Sequence, residues 1–179
     1  MRQVTNLLLT IFIIGLSGCG YTTGSLLPTE LDSIHVENFS NAIDPTREMS
    51  DRRASYSYRP GLEGNITRAV IDEFIFDGTL KIDNAKQSDL LLRGEFNDFR
   101  QFPLSYDGGD NVEEFRVELQ VDIELYNKLT GDTLWKENNF VGQTSYTVSG
   151  LNAKTENEGV NAAVKDLAQR IVERTVEAW

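Results

Sequence analysis

The sequence predicts an α+β fold, a two-layer sandwich in which two helices pack on a mainly antiparallel sheet of four or five strands. Three observations predict it. Phe115, Val117, Leu119, Val121, Ile123 and Leu125 alternate without a break with Arg116, Glu118, Gln120, Asp122 and Glu124. Such period-two patterning marks a strand with one buried and one wet face, the habit of antiparallel sheets. Leu62 to Phe74 and Val160 to Ile171 carry apolar residues at helical spacing instead. Elements that each bury one face or stripe need a second layer to cover them.

The elements follow in the order β-α-β-β-β-β-α. Leu31 to Phe39 reads as a strand with Ile34, Val36 and Phe39 apolar, and Asn41 to Arg59 as a loop without periodicity. That loop is long for a compact domain. Pro60 opens a helix where its missing N–H costs nothing, with Leu62, Ile66, Ala69, Val70 and Phe74 on one face and Asp77-Gly78 as its stop. Thr79 to Asp83 is a short strand. Asp89 to Phe99 is another, with Leu90, Leu92, Gly94 and Phe96 on one side, and Gly94 marks a bulge or a close backbone approach. Thr130-Gly131-Asp132 turns the long strand into a hairpin partner from Thr133 to Gln143. Thr155 and Glu158 form a capping box for the last helix. Its stripe is Val160, Val164, Leu167, Ile171 and Ala178, and Asp166 and Arg170 form an i,i+4 pair.

The N-terminus has a different character. Arg2 precedes an apolar run from Leu7 to Leu16 that is too short to cross a hydrocarbon core of about 30 Å, so it reads as a signal sequence. Leu16-Ser17-Gly18-Cys19 resembles the bacterial lipobox, which implies cleavage between Gly18 and Cys19 and lipid on the Cys19 sulfur. Cys19 is the chain's single cysteine, so no disulfide framework can form and lipidation gives the thiol a use. Several acyl chains make such an anchor stable where one holds only marginally. Gly20 stands where lipoproteins retained at the inner membrane typically carry Asp, which favours the outer membrane, at its periplasmic face. The expected organisation is residues 1–18 signal, 19–30 lipidated tether, and 31–179 a single domain.

Composition narrows the function. The net charge is −11, and removing the signal takes away one Arg and no acid. An acidic surface argues against nucleic acid as a partner. No second long apolar run appears. The one histidine, His35, lies out of phase with Ile34 and Val36 and reads as a surface or edge residue. One His and a lipidated Cys cannot build a nucleophile pair or a His-based zinc set. Phosphate-binding and nucleophile-elbow motifs are missing from the sequence. Glu113-Glu114 reads as solvated surface, and Asp107 to Asp110 lacks the alternating oxygens of a calcium loop. Asn65-Ile66-Thr67 matches a glycosylation acceptor only by chance, in mid-helix. The expectation is a protein that is not an enzyme, with no catalytic or metal site and no cofactor beyond the covalent lipid.

Two stretches suit binding. Arg47, Arg52, Arg53, Tyr56, Tyr58 and Arg59 form a basic, aromatic cluster in an acidic chain. Guanidinium forks suit phosphate or carboxylate, and tyrosines suit interfaces. Phe99 to Tyr106, with Phe102 and Pro103, reads as either a hydrophobic contact loop or a hairpin end.

The ordered motifs together resemble the LptE family of outer-membrane lipopolysaccharide-assembly lipoproteins. They are Gly20-Tyr21 after the lipobox, Asn38-Phe39-Ser40-Asn41, Gly61-Leu62-Glu63 with Thr67, Asp89-Leu90-Leu91-Leu92-Arg93-Gly94, the long amphipathic strand, and Leu129-Thr130-Gly131-Asp132-Thr133-Leu134-Trp135. The resemblance implies a plug and folding partner inside an LptD-type outer-membrane β-barrel, and binding of lipopolysaccharide through basic residues. The alternative is a self-assembling outer-membrane lipoprotein resembling curli-channel or TolB N-terminal domains.

Overall fold

The computed structural model describes residues 31–43 and 60–177. Its elements are β1 (Ser33–Val36), β2 (Ser40–Asn41), α1 (Leu62–Asp77), β3 (Lys81–Ile82), β4 (Leu90–Tyr106), β5 (Val112–Asn127), β6 (Thr133–Thr147) and α2 (Glu156–Glu177). The sheet runs β3-β1-β4-β5-β6, and β2 follows β1 along the same edge of β4. β4, β5 and β6 form an antiparallel meander, whereas β1 runs parallel to both β3 and β4, and β2 parallel to β4. The two-layer α+β architecture is as predicted. The sheet is mixed and has six strands, because α1 carries the chain from β1 to β3 as a crossover, and a crossover makes its strands parallel.

Both helices pack on one face of the sheet, α2 over β5 and β6, α1 over β1 and β3, and against each other. The apolar residues of β5 that alternate in sequence (Val117, Leu119, Val121, Ile123, Leu125) are all buried beneath them. Leu62, Ile66, Val70 and Phe74 of α1 point into the same core. The helix begins at Leu62, so Pro60 lies in the preceding turn and not in the first helical position. Gly61 takes the N-cap in the left-handed region (φ 91°), which suits glycine. Gly78 closes the C-terminus in the same conformation, its N–H donating to the Phe74 carbonyl at 3.0 Å.

On α2 the predicted capping box is present. The Thr155 N–H donates to Glu158 Oε2 at 2.7 Å and the Glu158 N–H to Thr155 Oγ1 at 3.3 Å. The Thr155 backbone and hydroxyl bonds hold the Glu158 carboxyl below its usual range. Val160, Val164, Leu167 and Ile171 are buried, joined by Ala163, Ala168, Val172 and Val176; Ala178 lies outside the described residues. Asp166 and Arg170 each turn to β6. Asp166 accepts the Gln143 N–H at 2.8 Å, and Arg170 stands 5.5 Å from the centre of the Phe140 ring.

Gly94 is explained by close approach. A Cβ there would collide with the ring of Phe39, which folds back over β4. Gly142 plays the corresponding role on β6, where a Cβ would run into the backbone of Leu167 on α2. The pairing of β4 with β5 slips between Phe96 and Asp98, and that of β5 with β6 between Val121 and Ile123. At the second slip Asn139 adopts φ 57°, its N–H donating to Asp122 Oδ1 at 2.7 Å. Bulges of this kind add a residue and bend the strand.

Candidate functional site

The motif residues serve the scaffold. Thr67 Oγ1 accepts the Phe39 N–H at 2.9 Å and donates to the Glu63 carbonyl at 2.9 Å, so it ties α1 to the segment between β1 and β2. Asp89 Oδ2 accepts Ser33 Oγ–H at 2.6 Å and the Ser33 and Asp32 N–H groups at 3.1 and 3.2 Å. The Ser33 hydroxyl first, then these N–H groups and Lys128, hold the Asp89 carboxyl below its usual range against the opposing effect of burial. In the turn after β5, Asn127 Oδ1 accepts the Leu129 N–H at 2.9 Å and Gly131 sits at φ 79°. Such a turn needs residues that tolerate positive φ.

The residues weighed for chemistry in the sequence and set aside have structural surroundings. His35 is on β1, which has β3 on one side and β4 on the other, so it is not at an edge. It is half-buried, with Nδ1 3.1 Å from the Asp83 carbonyl oxygen. Asp107 Oδ1 accepts the Gly109 and Asn111 N–H groups at 2.8 and 2.9 Å, closing the β4–β5 turn, and Asn111 foremost lowers its carboxyl pKa. Glu113 and Glu114 are consecutive on β5 and so point to opposite faces. Among the described residues, no cluster of three His, Cys, Asp or Glu side chains could hold a metal ion. Cys19, Gly18 and the cluster Arg47, Arg52, Arg53, Tyr56, Tyr58 and Arg59 lie outside the described residues.

Two surfaces remain. The first is a shallow hollow on the sheet face opposite the helices, lined by Glu37, Arg93, Glu95, Asp122, Glu124, Tyr126 and Lys136 among others. Arg93 donates to Glu37 at 2.8 Å and lies 4.8 Å from the Tyr126 ring centre. The Glu37 bond first, then Tyr126, raises the Arg93 pKa above its ordinary value. The Tyr126 hydroxyl first, then Thr133 and Lys136, lowers that of Glu124. Four carboxylates face two cations here, which suits a polar or cationic surface better than a phosphate. Its alternating polar residues were visible in the sequence as the wet face of β5; their convergence with Glu37 and Arg93 needed the β1–β4 register.

The second surface is the end of the β4–β5 hairpin. The stretch from Phe99 to Tyr106 is continuous strand and not a loop. Phe99 is buried, Phe102 and Pro103 are half-buried, and Leu104 and Tyr106 are exposed. Val148 and Leu151, which follow β6, add exposed apolar surface at this end, where the Val148 N–H meets the Glu113 carbonyl at 2.9 Å. The hairpin is fixed to the helical layer through Tyr146, whose hydroxyl accepts Gln101 Nε2–H at 2.7 Å. The Tyr146 ring stacks on Phe115 with centroids 5.9 Å apart and lies against Gly159 of α2.

Solved structures of low identity are similar to this chain. A variant PelC dodecamer from Paraburkholderia phytofirmans is similar at 13% identity and TM-score 0.50, over 87% of this chain and 96% of that one. A minor lipoprotein from Acinetobacter baumannii (14% identity, TM-score 0.47, 82% and 94% covered) is also similar. So is rare lipoprotein B from Shewanella oneidensis (14%, 0.40, 78% and 89%). No curated protein matches the sequence. The family model described as LptE, lipopolysaccharide-assembly, matches residues 31–175, from the start of the first strand to the last turn of α2. This chain belongs to the LptE lipopolysaccharide-assembly family.

Proposed function

We propose that this protein is a non-catalytic lipoprotein of the lipopolysaccharide transport machinery, acting as plug and folding partner of an LptD-type outer-membrane β-barrel. Lipid on Cys19 holds it at the periplasmic face of the outer membrane. The observation that carries this reading is the family match over residues 31–175, which reaches from before β1 into the last turn of α2. The chemistry of the described surface agrees with a binding role. Its motif residues are spent on internal hydrogen bonds and close packing, which leaves the apolar hairpin end and the polar sheet face for partners. Exposed aromatic and aliphatic side chains of that kind supply the buried centre of an interface.

The test is capture from membranes of full-length tagged protein. One large β-barrel is expected at one-to-one stoichiometry, and depletion of the protein is expected to lower surface lipopolysaccharide. If no barrel is captured and surface lipopolysaccharide is unchanged, the reading is wrong. A symmetric ring of identical copies on native mass spectrometry, with no barrel, would replace it with self-assembly. For the arginine cluster, replacing Arg52, Arg53 and Arg59 with Glu is expected to weaken binding of lipopolysaccharide or of the barrel. Unchanged affinity for both removes those residues from the site.

A further inference from the structure

Apolar side chains are exposed at both ends of the sheet, and the two ends differ. At the end opposite the β4–β5 hairpin, Ile75, Phe76 and Leu129 are 63, 85 and 72% exposed. The segments that carry them adjoin the point where the described chain begins. The Lys81 N–H donates to the Asp32 carbonyl at 2.9 Å, and four residues before Lys81 the helix carrying Ile75 and Phe76 ends at Asp77. On the other side Asp89 holds Ser33 and Asp32, while its carbonyl accepts the N–H of Lys128, the neighbour of Leu129, at 2.8 Å. Lys128 Nζ–H groups bond the Ala85 and Ser88 carbonyls at 2.6 and 2.8 Å, fixing that turn against the same end.

We infer that this end inserts Ile75, Phe76 and Leu129 into the interfacial layer of the bilayer that carries the lipid anchor, so that the domain has a second, non-covalent membrane contact. The inference rests on the lipidation of Cys19 proposed above. Residues 19–30 separate that cysteine from Leu31, and a chain of that length spans at most about 40 Å when fully extended. The leaflet is therefore always within reach of this end, and the tether makes insertion an intramolecular event, in which even a small apolar contact is well populated. Phenylalanine, isoleucine and leucine are the side chains that bury in the headgroup and acyl boundary. Charge also separates the two ends. Lys81, Lys86 and Lys128 offset part of the charge of Asp32, Asp77, Asp83, Asp89 and Asp132 here, whereas Asp107, Asp110, Glu113 and Glu114 at the hairpin tip have no lysine among them in the sequence. An acidic tip is the poorer partner for anionic lipid.

The test uses the full-length lipidated protein on vesicles of phosphatidylethanolamine and phosphatidylglycerol, read by flotation and by amide hydrogen exchange. The comparison is with the same protein in detergent and with an Ile75→Ser, Phe76→Ser, Leu129→Ser triple variant. These side chains are exposed, so unchanged exchange in β4 and β5 will report an intact core. The expected result is that the wild type floats and its exchange slows several-fold around residues 75–77 and 128–131. The triple variant should still float but lose that protection. Flotation without local protection, or protection that survives in the triple variant, overturns the inference and leaves the anchor standing. Protection that appears only when a β-barrel partner is reconstituted overturns it in favour of a protein contact. A wild type that does not float at all removes the anchor reading, and this inference with it.

Discussion

Strand β4 passes through two environments. From Leu90 to Phe96 it has β1 and β2 along one edge, β5 along the other, and helices over its face; Leu90, Leu92 and Phe96 are fully buried. From Asp98 to Tyr106 only β5 pairs with it among the described residues; Phe99 and Gln101 are still buried, but Leu104 and Tyr106 are 39 and 55% exposed. One strand thus begins as core and ends as surface. The covered half carries the motif residues and the free half carries none of them. What makes the family recognisable therefore lies mostly in what builds the domain, while the surfaces left for partners are the ones that patterning describes least.

The contrast can be broken most directly at the two halves themselves. Phe96→Ala is expected to cost about 3–5 kcal/mol, the usual price of truncating a buried aromatic, measured by urea unfolding. A loss below 1 kcal/mol would mean that the covered half is not the core. Tyr146→Phe tests the joint between the halves. It leaves the buried Gln101 amide without its 2.7 Å acceptor, which costs about 1–3 kcal/mol, and should speed amide exchange in the hairpin more than at β1. Uniform acceleration across the sheet would show that the hairpin is not fastened at this point.

A smaller effect belongs to pH. Because the Asp89 carboxyl is held below its usual range, its contribution is complete above the ordinary carboxylate pKa of 3.8 and is lost as pH falls through the lower, folded value. Wild-type stability should therefore fall more steeply than that of Asp89→Asn as the solution is acidified below about pH 4, and the neutral-pH difference should be about 1 kcal/mol, as for one hydrogen-bonded group near the surface. Parallel acid profiles for the two proteins would show that Asp89 is not a linked group. The smallest change in stability is expected at the free half: Leu104→Ser with Tyr106→Ser should stay within about 0.5 kcal/mol of wild type while reducing capture of the barrel. A stability loss as large as that of Phe96→Ala would place these side chains in the core.

Most of the scaffold was legible before the structure. The alternation in β5, the helical stripes of α1 and α2 and the Thr155–Glu158 box are all local patterns, and each fixes its element with near neighbours alone; Gly94 signalled a close approach, but its partner Phe39 is distant in sequence. Of the two-residue strands, β3 falls inside the expected short strand from Thr79 to Asp83, whereas β2 was harder. β2 was not expected at all, because a strand of that length has no period to detect, and its pairing with Glu95 and Phe96 is a tertiary event. The far half of β4 was left open between a loop and a hairpin end, with the strand ended too early at Phe99, for a different reason. The register slips between Phe96 and Asp98 and again around Ser105 shift the apolar phase, and Pro103 reads as a breaker, so a continuous strand looks like a strand followed by a loop. Pro60 was placed one turn position too far into α1 because the left-handed Gly61 sets the true start. Of the candidate site, the apolar hairpin end could be seen in outline from Phe102 and Tyr106; Val148 and Leu151 join it only through the β5–β6 register.

The placement of β1 between β3 and β4 has a consequence for the order of events during synthesis. Ser33 finds its partner Asp89 at a separation of 56 residues, and neither neighbour of β1 exists until β3 and β4 have been made. A strand that must wait for both its flanking partners cannot nucleate folding, and loop closure over that length slows the step further. β1 therefore stays unpaired while the rest is still emerging. That is the state which the export and lipidation proposed above would require before the domain closes.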